Sequence, residues 1–144
     1  MALTQRVIDW QNRGRSVDFR GHRIHVFEQE GEGLPLVMLH GFPSSSYDWQ
    51  PLVDRLEGRR ILAFDFLGFG LSDKPRNHVY SLAWQADLAD ELVRSTFPNE
   101  PVSLLAGASQ QLASRKVELG ETLPSHWYND PGIWQRERWP IFGS

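Results

Sequence analysis

Two polar loops follow two short apolar runs, and their residue types suit a reaction that passes through an oxyanion. His40-Gly41-Phe42-Pro43 directly follows Leu36-Val37-Met38-Leu39. Asp65-Phe66-Leu67-Gly68-Phe69-Gly70-Leu71-Ser72-Asp73-Lys74-Pro75 directly follows Ile61-Leu62-Ala63-Phe64. A reaction that passes through an oxyanion needs backbone N–H groups aimed at the developing charge. Gly41 lets the backbone turn sharply, Phe42 offers an N–H and an aromatic wall, and Pro43 sets the next turn, with Phe42-Pro43 a candidate cis bond. His40 is expected to pack or hydrogen-bond inside this loop. In the second loop, Asp65 reads as an acceptor bracing the turn. Gly68 and Gly70 supply positive φ, and Ser72-Asp73 cap a turn. A nucleophile is expected after the third apolar run, Val102-Ser103-Leu104-Leu105-Ala106, where the chain reads Gly107-Ala108-Ser109-Gln110.

The elements that must position these loops are legible from periodicity. Residues 2–13 suit a short helix with Val7 and Trp10 on one face. Residues 16–20 and 23–29 alternate apolar and polar, with Val17, Phe19, Ile24 and Val26 as the apolar set. Gly21-His22 reads as the tight turn between them, and Gly31-Glu32-Gly33 as a second turn. The runs 36–39, 61–64 and 102–106 are continuously apolar, as strands buried on both faces are. Residues 47–56 carry Trp49, Leu52, Val53 and Leu56 at helical spacing. The clearest helix spans 82–97, with Leu82, Ala86, Leu88, Ala89, Leu92 and Val93 as its stripe, Ser81 as N-cap and Pro98 as its stop. A hairpin followed by strand, helix, strand, helix, strand predicts an α/β class: a mostly parallel sheet with crossover helices.

Composition bounds the function. The chain has 144 residues, one domain's worth, with 40% apolar and 12% aromatic residues. A net charge of −3 offers no basic footprint, so nucleic acid is not expected as a partner. The absence of cysteine excludes disulfides, thiolate metal sites and Cys nucleophiles. No cofactor and no metal are expected. The first ten residues lack the apolar core of a signal peptide, and no run approaches a membrane span. A cytoplasmic protein without membrane contact is the expectation.

His40-Gly41-Phe42-Pro43-Ser44-Ser45-Ser46-Tyr47-Asp48-Trp49, taken with Asp65 to Pro75, resembles the α/β-hydrolase fold over residues 5–106. The resemblance is to the branch of epoxide hydrolases, haloalkane dehalogenases and mesoderm-specific transcript-like proteins. It implies that Phe42 carries one oxyanion N–H, the second donor following the nucleophile. Family members end the third strand in a nucleophile elbow of the form small-x-nucleophile-x-Gly. Here that register places Ala108 at the nucleophile. A shift by one offers Ser109, with Gln111 where the elbow wants a small residue. The only histidine beyond Ser109 is His126, too soon for the intervening strands of the family, and its neighbours Trp127 and Tyr128 suit packing.

This reading divides the chain into 1–106, the N-terminal half of an α/β-hydrolase domain, and 107–144, a divergent aromatic-rich tail. Residues 121–144 resemble the lead-in of Rieske-type ring-hydroxylating oxygenase α subunits, although no cysteine is present to ligate a cluster. The expectation is an incomplete hydrolase without catalytic activity as this chain. Two alternatives stay open. One is a hydrolase of small-molecule esters, epoxides or haloalkanes working through Ser109 or a partner chain. The other is a non-catalytic interaction module using exposed sheet surface and the aromatic tail. Self-association through an exposed sheet edge is expected under all three.

Overall fold

The computed structural model describes residues 2–107. Ala108, Ser109, His126 and the tail resemblance lie outside the described residues, as does most of the second segment. Element order is helix α1 (Gln5–Arg13), strands β1 (Arg15–Phe19), β2 (His22–Gln29) and β3 (Glu32–Leu39), a 3₁₀ turn (Ser46–Trp49), helix α2 (Gln50–Val53), strand β4 (Arg59–Phe64), helix α3 (Leu82–Thr96) and strand β5 (Ser103–Ala106).

The five strands form one sheet in the order β1-β2-β4-β3-β5. β1 and β2 are antiparallel, and β2 is antiparallel to β4. β3 lies between β4 and β5 and is parallel to both, with Val37 opposite Leu62 and Leu104. The three apolar runs are therefore neighbouring parallel strands. Alternate residues of β3 serve opposite faces. Val37 and Leu39 join Leu62, Phe64, Leu88, Leu92 and Phe97 beneath α3. Met38 joins Trp10, Phe27, Val53, Ile61 and Ala63 beneath α1 and α2. Burial on both faces leaves no position in 37–39 or 61–64 for a polar side chain, and the polar residues Glu32, Arg59 and Arg60 stand at the open starts of the two strands.

α3 carries the chain from β4 across β3 to β5. Ser81 caps it, its hydroxyl accepting from the Trp84 N–H at 3.2 Å, which satisfies one of the free donors of the first turn.

Four boundaries differ from the sequence expectation. The hairpin turn is Arg20-Gly21 rather than Gly21-His22, because Phe19 pairs with His22 and both turn residues have positive φ, 52° and 81°. That is the primed geometry whose twist matches a two-residue hairpin. Asp18 Oδ1 accepts from the Gly21 N–H at 3.2 Å and steadies it. Glu32 and Gly33 belong to β3 rather than to a turn, since Glu32 already pairs with Arg59 ahead of an irregularity before Leu36. Residues 47–56 form no single helix. They split into the 3₁₀ turn and four-residue α2, whose purpose is to seat Trp49, Leu52, Val53 and Leu56 on the sheet. β5 is not buried on both faces: Leu104 is 50% exposed.

Candidate functional site

β3, β4 and β5 run in parallel and end together, so the loops that leave them converge at their carboxyl ends. Open α/β sheets bind their ligands at such a place. The first loop, 40–43, and the second, 65–70, touch through the His40 and Phe69 rings at 5.3 Å and the Phe42 and Phe69 rings at 6.1 Å. Gly107, at the end of β5, closes the third side. Its N–H donates to Leu39 O at 2.6 Å, and a Cβ placed on it would stand 3.2 Å from Gly41 N. A side chain at this position would be tight and would need its neighbours to give by a few tenths of an ångström.

His40 is 2% exposed and joins the two loops. The Phe66 N–H donates to His40 Nε2 at 3.0 Å. Nε2 is therefore the lone-pair nitrogen, which puts the ring proton on Nδ1, and Nδ1–H donates to Gly41 O at 2.9 Å. The ring is seated edge-on against Phe66 at 5.1 Å. Burial holds its pKa below the ordinary histidine range, offset in part by the Gly41 carbonyl and by the charges of Asp65 and Asp48.

Gly41 O takes three donors in all: His40 Nδ1–H, the Ser44 N–H at 2.8 Å and Ser44 Oγ at 3.0 Å. This carbonyl shares a planar trans peptide with the Phe42 N–H, and across such a peptide C=O and N–H point in opposite directions. Anchoring the carbonyl inward therefore turns the Phe42 N–H outward. That N–H makes no hydrogen bond to any described residue, the Phe42 ring is 66% exposed, and Phe42-Pro43 is cis.

Asp65 lies at the end of β4 with its carboxylate turned to the backbone of its surroundings. It is 1% exposed. Its Oδ1 accepts from the Ser46 N–H and its Oδ2 from the Leu71 N–H, each at 2.7 Å. The carboxylate is thereby committed to backbone. Ser72 Oγ donates to Asp65 O at 2.6 Å and accepts from the His25 N–H at 3.0 Å. Asp73 Oδ2 accepts from the Arg23 N–H at 2.7 Å, tying the loop to the hairpin. Gly68 and Gly70 have φ of 90° and 52°, and a side chain on Gly68 would meet the Tyr80 ring. Among the described residues no group of three or more His, Cys, Asp or Glu side chains stands close enough to hold a metal ion. No described helix is long and apolar enough to cross a membrane.

Two buried groups escaped the sequence reading. Gln85 of α3 clamps the second loop from both sides of one residue. Its Oε1 accepts from the Leu67 N–H at 3.2 Å, and its Nε2 donates to Leu67 O at 2.9 Å. A signal existed: Gln85 stands three residues after Leu82 and three before Leu88, on the apolar stripe, where an amide calls for buried partners. His25 of β2 is 3% exposed, and its Nε2 has no partner among the described residues. Burial lowers its pKa, opposed by the Asp65 charge.

Residues 35–110 match the family model described as alpha/beta hydrolase fold. The mesoderm-specific transcript protein of Mus musculus is 41% identical over 110 residues, 72% of this chain and 33% of that protein. The haloalkane dehalogenase DatA from Agrobacterium tumefaciens C58 is similar in structure, with a TM-score of 0.56 and 37% identity over 65% of this chain and 31% of the other. The Cif epoxide hydrolase from Acinetobacter nosocomialis shares the fold at a TM-score of 0.58 and 22% identity, covering 65% of this chain and 29% of the other. This chain spans about a third of the length of the curated relatives it matches. The resemblance of residues 121–144 to ring-hydroxylating oxygenases finds no support in these comparisons.

Proposed function

This chain belongs to the α/β hydrolase fold family, and from that premise we propose that it presents the oxyanion-binding arm of a site of the epoxide hydrolase and haloalkane dehalogenase type. As this chain alone it does not turn over substrate. The observation that carries the reading is the Phe42 N–H, turned outward by its anchored peptide at the carboxyl end of the central parallel strand. A preorganised donor in that position stabilises negative charge on oxygen or halide without reorganising. The remaining groups of a covalent mechanism are a nucleophile and a base held within hydrogen-bond reach. Asp65 and His40 do not supply them, because both oxygens of the one and both nitrogens of the other are committed to backbone. In sequence, Ala108 falls at the nucleophile position.

The test is an assay of the purified chain against nitrophenyl esters, epoxides and haloalkanes. The expected result is hydrolysis at the buffer rate. A second reading draws on Gly107, which lies beside Gly41 and stands two positions before Ser109 in the sequence. Under that reading esters are hydrolysed and Ser109→Ala abolishes the activity. Activity that needs a second copy of the chain predicts a rate rising with the square of protein concentration at low concentration. A linear rise excludes it.

A further inference from the structure

We infer that His40 is a positioning residue whose neutral, Nδ1-protonated ring aims the Phe42 N–H, and that protonation of the ring releases it. The inference rests on the reading of Phe42 as a donor to negative charge. The geometry beneath it is independent of that reading. His40 Nδ1–H holds Gly41 O at 2.9 Å, and Gly41 O is the opposite end of the peptide that carries the Phe42 N–H. The other nitrogen, Nε2, accepts from the Phe66 N–H at 3.0 Å. One ring thus fixes the donor loop to the turn that follows β4, and it does so only while one nitrogen is a donor and the other an acceptor.

An added proton has one place to go. It binds Nε2, and the acceptor becomes a second donor facing the Phe66 N–H. Two donors at that separation repel, so the ring must rotate or the turn must withdraw. Either movement loosens the hold on Gly41 O, leaving the two bonds from Ser44 to orient the Phe42 peptide. The ring cannot slide freely to a new partner, because Phe66 and Phe69 flank it edge-on. The charged groups that face it are Asp65 on the second loop and Asp48 on the 3₁₀ turn. Neither bonds to the ring, and the Asp65 carboxylate is occupied by the Ser46 and Leu71 N–H groups. They moderate the burial of a charge there without giving the new N–H an acceptor.

Nuclear magnetic resonance of the full chain from pH 8 to pH 5 tests this directly. At neutral pH the ring-nitrogen spectrum should show His40 protonated on Nδ1 and bare on Nε2. A single transition below about pH 6.5, the ordinary histidine midpoint, should then move the His40 ring and the Phe66, Gly41 and Phe42 amide signals together, while Met38 and Leu62 stay in place. His25→Gln should leave this transition intact, and His40→Gln should remove it. A proton on Nε2 at neutral pH overturns the inference. So does a His40 titration that leaves the Phe66 and Phe42 amides unmoved, or unfolding of the chain before His40 titrates. If His40→Gln fails to fold, the ring and amide spectra of the unaltered chain decide alone. Chloride and acetate titrations at pH 7.5 separate the two readings. A Phe42 amide that ignores both anions removes the donor reading, while the coupled titration still reports on His40.

Discussion

Asp65 and Gly70 are in contact across the second loop: a Cβ built on Gly70 would overlap Asp65 Oδ2 and stand 2.8 Å from the Ser45 Cβ. The same oxygen accepts the Leu71 N–H. The glycine is thus required twice, by its φ of 52° and by the carboxylate beside it. Gly70→Ala should destabilise the chain by about 3 kcal/mol, combining left-handed strain with displacement of a buried acceptor. Gly21→Ala supplies the comparison. Its φ is 81° and nothing lies within 4 Å of the added methyl, so the cost is strain alone, about 1 kcal/mol. Urea unfolding of the two variants measures the difference. Equal losses would show that the Asp65 contact contributes nothing.

Replacing the brace itself should be severe. Asp65→Ala strips the acceptor from the buried Ser46 and Leu71 N–H groups, for a loss of about 3 kcal/mol or more. Asp65→Asn keeps one acceptor oxygen and should lose about half as much. The two unfolding midpoints, measured side by side, should fall in that order.

The Gln85 amide is expected to matter through hydrogen bonding rather than volume. Gln85→Leu fits the apolar stripe of α3 but orphans both the N–H and the C=O of Leu67. A loss of about 2 kcal/mol is expected, with faster amide exchange confined to residues 66–68. A stabilised Gln85→Leu protein would show that the clamp is dispensable.

Stability should fall with acid earlier than carboxylate titration alone predicts. Burial lowers the pKa of both His25 and His40 in the folded chain. The unfolded chain therefore binds protons first, at about pH 6.5, and stability rises with pH through that region. The contribution is complete above roughly pH 7.5 and is lost progressively below about pH 6.5. Chemical unfolding at pH 7.5, 6.5 and 5.5 should show a declining midpoint, and His25→Gln should flatten part of the slope. A midpoint constant from pH 7.5 to 5.5 would contradict the buried, neutral state of both rings.

The amino-acid sequence by itself determined which faces of β3, β4 and α3 are apolar, because that pattern is written in local periodicity. The continuous runs 36–39 and 61–64 read as strands covered on both faces, and Ser81 ahead of an apolar stripe read as the start of a helix. The loop His40–Pro43 and the turn Asp65–Pro75 were legible for the same reason, since glycine, proline and short polar side chains act on the backbone beside them. What the tertiary structure decided is which polar atoms meet. His40 finds Phe66, Gln85 finds Leu67 and Asp65 finds Ser46 across many residues of chain, and no periodicity encodes such pairs. The hairpin turn moved by one residue because pairing of Phe19 with His22 sets the register, and β5 proved half-exposed because burial depends on what packs outside a strand as well as on its own side chains. The direction of the Phe42 N–H belongs to the same class. It follows from three donors converging on one carbonyl, and a hydrogen bond is directional only once the fold has brought its two ends together.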